Sequence, residues 1–266
     1  MGKEGQDLEI NKLRNLLSER NIIFLTSVDS TNTYAIKLAE NGSPHGTLII
    51  ADTQTKGRGR LGRNWFSPPK KNIYMSIILR PEIKAEEATL LTIMAGVASA
   101  RALRNTTGLG VKLKWPNDIV MFEKKLGGIL TETKTNHGRL IFAVIGIGIN
   151  VNMVAKDFPS GIRSFSTSIK IDLGKSIPLP PIIAKIVKET EQWYKVLTGG
   201  NRDILLNEWR QLSATLGSNV KVTVGSKAVT GIAEDIDDKG MLILRLLSGE
   251  VKKISTGDVI NFCGIM

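Results

Sequence analysis

Gly57-Arg58-Gly59-Arg60-Leu61-Gly62-Arg63-Asn64-Trp65-Phe66-Ser67-Pro68-Pro69 contains the pattern G-x-G-x-x-G, which in dinucleotide-binding folds opens a helix beneath a phosphate. No helix can open here. Pro68 and Pro69 offer no amide hydrogen and would clash with a preceding turn, so the last glycine leads into extended chain and the dinucleotide fold is excluded. A kinase glycine loop also lies between strands, but Val-Ala-Ile-Lys, His-Arg-Asp and Asp-Phe-Gly are absent from the chain. What remains is a loop between strands. Its glycines permit close approach, and its arginines can fork onto phosphate or carboxylate oxygens. The bland alternative for the loop alone is a solvated basic turn.

Working outward, the pattern predicts strands over Thr47–Ala51 and Ile73–Leu79 on either side of the loop. Before them come a short helix over Ile10–Arg20, a strand over Ile22–Leu25 and a helix capped by Ser30 or Thr31 that runs to Glu40. After them the spacing of Leu90, Met94, Val97 and Leu103 predicts a long amphipathic helix over Ala85–Asn105. Strands follow at Val111–Leu113, Ile119–Phe122, Gly128–Thr133 and Leu140–Ile147. Pro178, Pro180 and Pro181 mark a break before helices over Ile182–Leu197 and Ile204–Leu212. Beyond Gly217 the character changes to short alternating strands at Val220–Val224, Ala228–Ile232, Leu242–Leu246 and Val251–Ile254, joined by hairpin signals. That tail reads as a small β-barrel. No internal repeat is visible.

The 266 residues are 42% hydrophobic, enough for one large domain with a small appendage. The longest apolar run, Leu140–Ile149, is half of the roughly 20 residues that a spanning helix needs, and the N-terminus lacks a signal-peptide core, so a cytoplasmic protein away from membranes is expected. The single cysteine, Cys263, excludes an intramolecular disulfide framework, and His45 and His137 have no zinc-ligand spacing, so no tightly bound metal is expected. A net charge of +11 and a pI near 9.7 invite a nucleic-acid reading. The distribution argues otherwise: Lys56, Arg58, Arg60, Arg63, Lys70 and Lys71 share one acid-free segment, which suits a small anionic ligand as well as a polymer. Aromatics at 5% leave little for a base-stacking surface.

Three further clusters stand out. Lys114-Trp115-Pro116-Asn117-Asp118 is a tight turn between strands, with polar heads around a rigid proline. Lys125-Leu126-Gly127-Gly128 sets a lysine before glycines at a strand start, where a ligand or another backbone approaches closely or the strand simply bulges. Gly146-Ile147-Gly148-Ile149-Asn150-Val151-Asn152 puts small residues at a strand end before amides, in what is otherwise an ordinary exit turn.

In this order, with Asp29-Ser30-Thr31-Asn32 as an opening motif, these clusters resemble the biotin–protein ligase family from Asp29 to Asn152. The resemblance implies an α+β catalytic domain over residues 1–216, a mixed sheet flanked by helices and related to class II aminoacyl-tRNA synthetases. It implies an SH3-like barrel over residues 217–266. The implied activity is ATP-dependent formation of biotinyl-AMP, with Mg²⁺ accompanying ATP, and transfer of biotin to a lysine of a biotin carboxyl carrier protein. By the same resemblance Ser30, Thr31, Asn32 and Gln54 would meet biotin, with Gly57, Arg58, Gly127 and Gly128 lining its pocket. Arg58, Arg60, Arg63, Trp65, Lys114, Asn117 and Asn150 would form the ATP side. Arg60 and Lys125 would act on the reacting carboxylate and phosphate, and Asp118 on the acceptor amine.

The chemistry accounts for those residue types. Two anions must be joined, so fixed positive charge has to offset their repulsion as charge moves toward pyrophosphate. The acceptor lysine, with a pKa near 10.4, must lose a proton before it attacks. Leu61 departs from the family, because bifunctional DNA-binding members carry another arginine there. With 29 residues ahead of Ser30, a monofunctional ligase without a DNA-binding domain and without specific DNA binding is expected. The family also favours a homodimer. Two rivals remain: a lipoate–protein ligase, whose Arg-Arg-x-[Ser/Thr]-Gly-Gly-Gly-x-x-x-His pattern is missing, and a basic nucleic-acid-binding protein.

Overall fold

A computed structural model describes residues 11–18 and 20–261. Ile10 and Cys263 therefore lie outside the described residues, while residues 11–16 are helical, shorter than the Ile10–Arg20 expectation. The next elements are β1 (Ile22–Leu25), α1 (Thr31–Glu40), β2 (Leu48–Ala51) and β3 (Ile73–Leu79). Then come α2 (Ala88–Thr107), β4 (Lys112–Lys114), β5 (Asp118–Met121), β6 (Lys124–Asn136) and β7 (Arg139–Ile149). Four helices follow, α3 (Ser160–Arg163), α4 (Ile169–Leu173), α5 (Leu179–Thr198) and α6 (Arg202–Leu212). The tail holds β8 (Asn219–Val224), β9 (Lys227–Ile236), β10 (Leu242–Leu246), β11 (Val251–Ile254) and β12 (Asp258–Asn261).

β1 to β7 form one sheet in the order β1-β2-β3-β7-β6-β5-β4, and β8 to β12 form another in the order β11-β10-β9-β8-β12. β1 and β2 run parallel while the other pairs of the first sheet are antiparallel, so it is mixed. The second is the small antiparallel sheet of an SH3-like tail.

Alternation along β3 and β7 decides what lies on each face. Ile73, Met75, Ile77 and Leu79, with Ala143, Ile145, Ile147 and Ile149, point into the main core beneath α2, which itself packs on α5 and α6. The opposite face carries Ile78, Phe142 and Val144 beneath α1. On that same face, by the same period of two, β3 presents Tyr74 and Ser76 and β7 presents Gly146 and Gly148. Isoleucine thus builds the core, and glycine leaves room on the other side.

The proline cluster opens a helix instead of preceding one. α5 begins at Leu179, and Pro180 and Pro181 occupy its first turn, where the missing amide hydrogens have no intrahelical acceptor anyway. The two sheets share a core: Trp115, 1% exposed, donates its indole N–H to the Gly240 carbonyl at 3.1 Å, and its backbone amide bonds the Thr215 hydroxyl at 2.9 Å. The turn between β4 and β5 is thereby packed against the second sheet.

Candidate active site

The floor is made by strand glycines. A methyl group at Gly146 would stand 2.2 Å from Oδ1 of Asn32, so only hydrogen lets that amide lie on β7. At Gly148 it would stand 2.7 Å from the Trp65 indole. Gly128 on β6 has the Trp65 ring and Lys125 Cε within 3.6 Å of the same position, and Lys125 Nζ lies 5.7 Å from the Trp65 ring centroid. Trp65 is therefore held flat between sheet and lysine, in reach of a cation–π attraction.

Ser30 is the N-cap of α1 by backbone geometry and lines the cavity, and its side chain makes no capping bond. Thr31 donates its amide to Gln54 Oε1 at 2.8 Å, Gln54 Nε2 donates to Ser67 Oγ at 3.0 Å, and Ser67 donates to the Trp65 carbonyl at 2.9 Å. Those bonds fix the Gln54 amide. Ser76 Oγ lies 2.7 Å from Asn32 Oδ1 and 2.8 Å from Thr31 Oγ1; since the Asn32 oxygen can only accept, Ser76 gives it its proton, and the single Thr31 hydroxyl proton is shared between Ser76 Oγ and Gln54 Oε1, 3.1 Å away.

Four of the cations have a protein partner. Arg58 pairs with Glu132 at 2.8 Å, Arg60 reaches Asn117 Oδ1 at 3.2 Å and Thr256 Oγ1 at 2.6 Å, and Arg63 forks onto Asp258. Lys125 pairs with Asp118 at 2.6 Å. Burial pushes the Lys114 ammonium below the ordinary lysine value, with Asp118 pulling it back up. Burial likewise lowers Arg60, against Asp258 and Asp118, yet a guanidinium stays charged in either case.

These groups surround one cavity of about 400 Å³. Ser30, Thr31, Asn32, Gln54, Arg58, Arg60, Arg63, Trp65, Lys114, Asn117, Asp118, Lys125, Gly128 and Asn150 all line it. Gly57 lies instead in the adjoining recess on the far side of the loop, where a methyl would meet the Trp65 carbonyl at 2.3 Å. Gly127 faces away from the cavity, because alternation along β6 turns it toward Ile149 and Ile119 in the core. Asn150 has its Nδ2 bonded to the Thr167 carbonyl at 3.1 Å. Leu61 sits at the loop apex with φ 54° and 68% exposed.

Ser76, Glu132, Thr256 and Asp258 escape a reading of the sequence because their partners lie at least 44 positions away, and Ser67 because its bonds to Gln54 and the Trp65 carbonyl make no motif. For Gly146 and Gly148 the signal is the alternation of isoleucine with glycine along one strand, which clears one face of it. Among the described residues no group of three or more His, Cys, Asp or Glu side chains is arranged to hold a metal ion.

The model of the biotin/lipoate A/B protein ligase family matches residues 24–150, and that of the biotin protein ligase C-terminal domain matches residues 215–260. The bifunctional ligase/repressor BirA of Bacillus subtilis is 36% identical over 241 residues, covering 90% of this chain and 74% of its own length. The chain belongs to the biotin–protein ligase family. The biotin--[acetyl-CoA-carboxylase] ligase of Mycobacterium tuberculosis is 32% identical over 249 residues, covering 91% of this ligase-family chain and 89% of the relative. The biotin protein ligase of Aquifex aeolicus, solved in complex with biotin and ATP, superimposes with a TM-score of 0.77 at 31% identity over 92% of this chain and 99% of that one. Membership covers both sheets, since each family model falls on one of them.

Proposed function

We propose that this chain is a biotin–protein ligase that forms biotinyl-AMP in the cavity and passes the biotinyl group to one lysine of a biotin carboxyl carrier protein. In the first step a biotin carboxylate oxygen bonds to the α-phosphorus of ATP as the bond to pyrophosphate breaks. In the second the carrier's amine bonds to the acyl carbon, AMP leaves and the amine loses a proton. The observation that carries the reading is the convergence of Arg58, Arg60 and Lys125, from a loop and a strand far apart in sequence, on one cavity with a glycine floor. Fixed cations in a partly dry site are what a reaction between two anions requires.

Ser30, Thr31 and Gln54 are the groups offered to the ureido ring: Thr31 and Gln54 are held by the network behind them, and the Ser30 side chain makes no capping bond. Lys125 and Arg60 serve the carboxylate and α-phosphate. Arg63, Lys114, Asn117, Trp65 and Asn150 serve the nucleotide side, and Mg²⁺ accompanies ATP to offset the charge on its phosphates. Asp118 receives the proton of the acceptor amine and orients it. Residues 1–216 and 217–266 are the catalytic domain and the tail, and the ligase works in the cytoplasm as a homodimer without specific DNA binding. No helix among the described residues is long and apolar enough to cross a membrane.

Exchange of labelled pyrophosphate into ATP separates the rivals. Biotin should support it, and lipoate and an acid-free control should not. Exchange with lipoate in place of biotin would transfer the assignment to the lipoate ligases, and salt-sensitive retention of RNA or DNA without any exchange would remove the enzyme reading.

A further inference from the structure

β6 carries its alternation past the cavity edge. Gly128 and Leu130 line the cavity, and Glu132 is the next residue on that face, with its side chain 24% exposed at the rim. Its two oxygens are divided between two elements. Oε1 accepts from Arg58 Nη2 at 2.8 Å, and Oε2 accepts from Asn32 Nδ2 at 2.9 Å. Asn32 also donates to the Leu130 carbonyl and is 3% exposed, so one end of the arrangement is fixed in the sheet. The other end is a loop closed on itself, by the Gly59 N–H on the Arg63 carbonyl at 2.7 Å and the Trp65 N–H on the Gly57 carbonyl at 2.8 Å, so it is held to the sheet through its side chains.

We infer that Glu132 is a positioning residue that holds the glycine-arginine loop down on the sheet through Arg58, and that biotin affinity depends on it. The inference rests on the reading of this cavity as a biotin site. Arg58 has a second contact, Thr33 Oγ1 at 3.3 Å, but that one is neutral and longer, so the carboxylate supplies the charge-assisted bond. The far side of the loop is held separately, by Arg60 on Thr256 and Arg63 on Asp258. Loss of the Glu132 charge therefore releases the loop at Arg58 while its anchors at Arg60 and Arg63 remain. The biotin side loosens and the nucleotide side does not.

Glu132→Gln keeps the volume and an oxygen for Asn32 but removes the charge. For this variant we expect biotin to bind about tenfold more weakly by titration calorimetry without ATP, the size of one charge-assisted bond. The KM for biotin in pyrophosphate exchange should rise in step, with kcat and the KM for ATP within about twofold of wild type, a pattern that marks loss of binding in ground state and transition state alike. In an Arg58→Gln background the same change should add nothing, because the two residues act as one unit. Ligand-free trypsin cleavage within residues 58–63 should accelerate in Glu132→Gln, with melting temperature unchanged.

Unaltered biotin affinity, a KM for ATP rising with that for biotin, or an equal further loss on top of Arg58→Gln would overturn the inference. The trypsin result bears on the tether whatever the ligand is. Wild-type protein that binds no biotin, yet shows faster loop cleavage in Glu132→Gln, would refute the biotin reading and leave the tether standing.

Discussion

Asp118 meets two demands. It is paired to Lys125 at 2.6 Å, and it lines the cavity in which, under the proposed reaction, an incoming amine would lose a proton. Asp118→Asn should slow single-turnover transfer from preformed biotinyl-AMP by about 100-fold, within the range of a lost general base, and unchanged transfer would remove that role. Gly148→Ala would drive a methyl into the Trp65 indole, so exchange activity should fall about tenfold or more, whereas Gly110→Ala, with nothing within 4.0 Å, should match wild type. Lys114 gives a prediction in pH. Burial lowers its folded pKa, so the folded chain binds that proton less tightly than the unfolded one. The cost is full below the folded pKa and fades as pH rises through it toward the unfolded value. Lys114→Met should therefore raise the melting temperature at neutral pH, with a smaller gain in alkaline buffer; a gain that grows with pH would contradict the sign. At this scale the sequence was informative wherever chemistry sits in a contiguous motif. Glu132 and Asp258 were invisible because each is defined by a partner at least 74 positions away.

Among the elements, the turn from β4 to β5 shows how a motif acquires its shape. Lys114, Asn117 and Asp118 line the cavity, and Trp115, which also borders it, sends its indole N–H into the junction of the two sheets. Trp115→Phe keeps most of the apolar bulk but leaves the Gly240 carbonyl without its donor. We expect a loss of about 1–3 kcal/mol in urea unfolding, read from the midpoint at constant slope. An unshifted midpoint would mean that the indole N–H is dispensable. Hydrophobic periodicity located most helices and strands, because both are set by one buried face. It shortened β6 and β7, which extend to Asn136 and Arg139 through polar, exposed residues that carry no alternation. It missed β12, which follows β11 across Ser255-Thr256-Gly257 yet pairs with β8, a register that no local pattern announces.

In the molecule as a whole, the loop arginines join the two sheets at the site. Arg60 and Arg63 reach Thr256 and Asp258, so the tail contributes to the walls of the cavity as well as to the shared core. Arg63 is 64% exposed, and a pair so open to water stabilises the fold by no more than about 1 kcal/mol. Asp258→Ala should accordingly leave the melting temperature nearly unchanged while raising the KM for ATP. Arg63→Ala should do the same, and the double variant should be no worse than either alone. A large fall in melting temperature would make the contact structural instead. The most direct test of the account is to quench the wild-type chain after one turnover with α-labelled ATP, Mg²⁺ and biotin and to resolve the labelled products. The account predicts biotin-dependent labelled biotinyl-AMP, close to one per protein, that is nearly abolished in Lys125→Ala. No acyl-AMP from wild type, or equal amounts from Lys125→Ala, would contradict it.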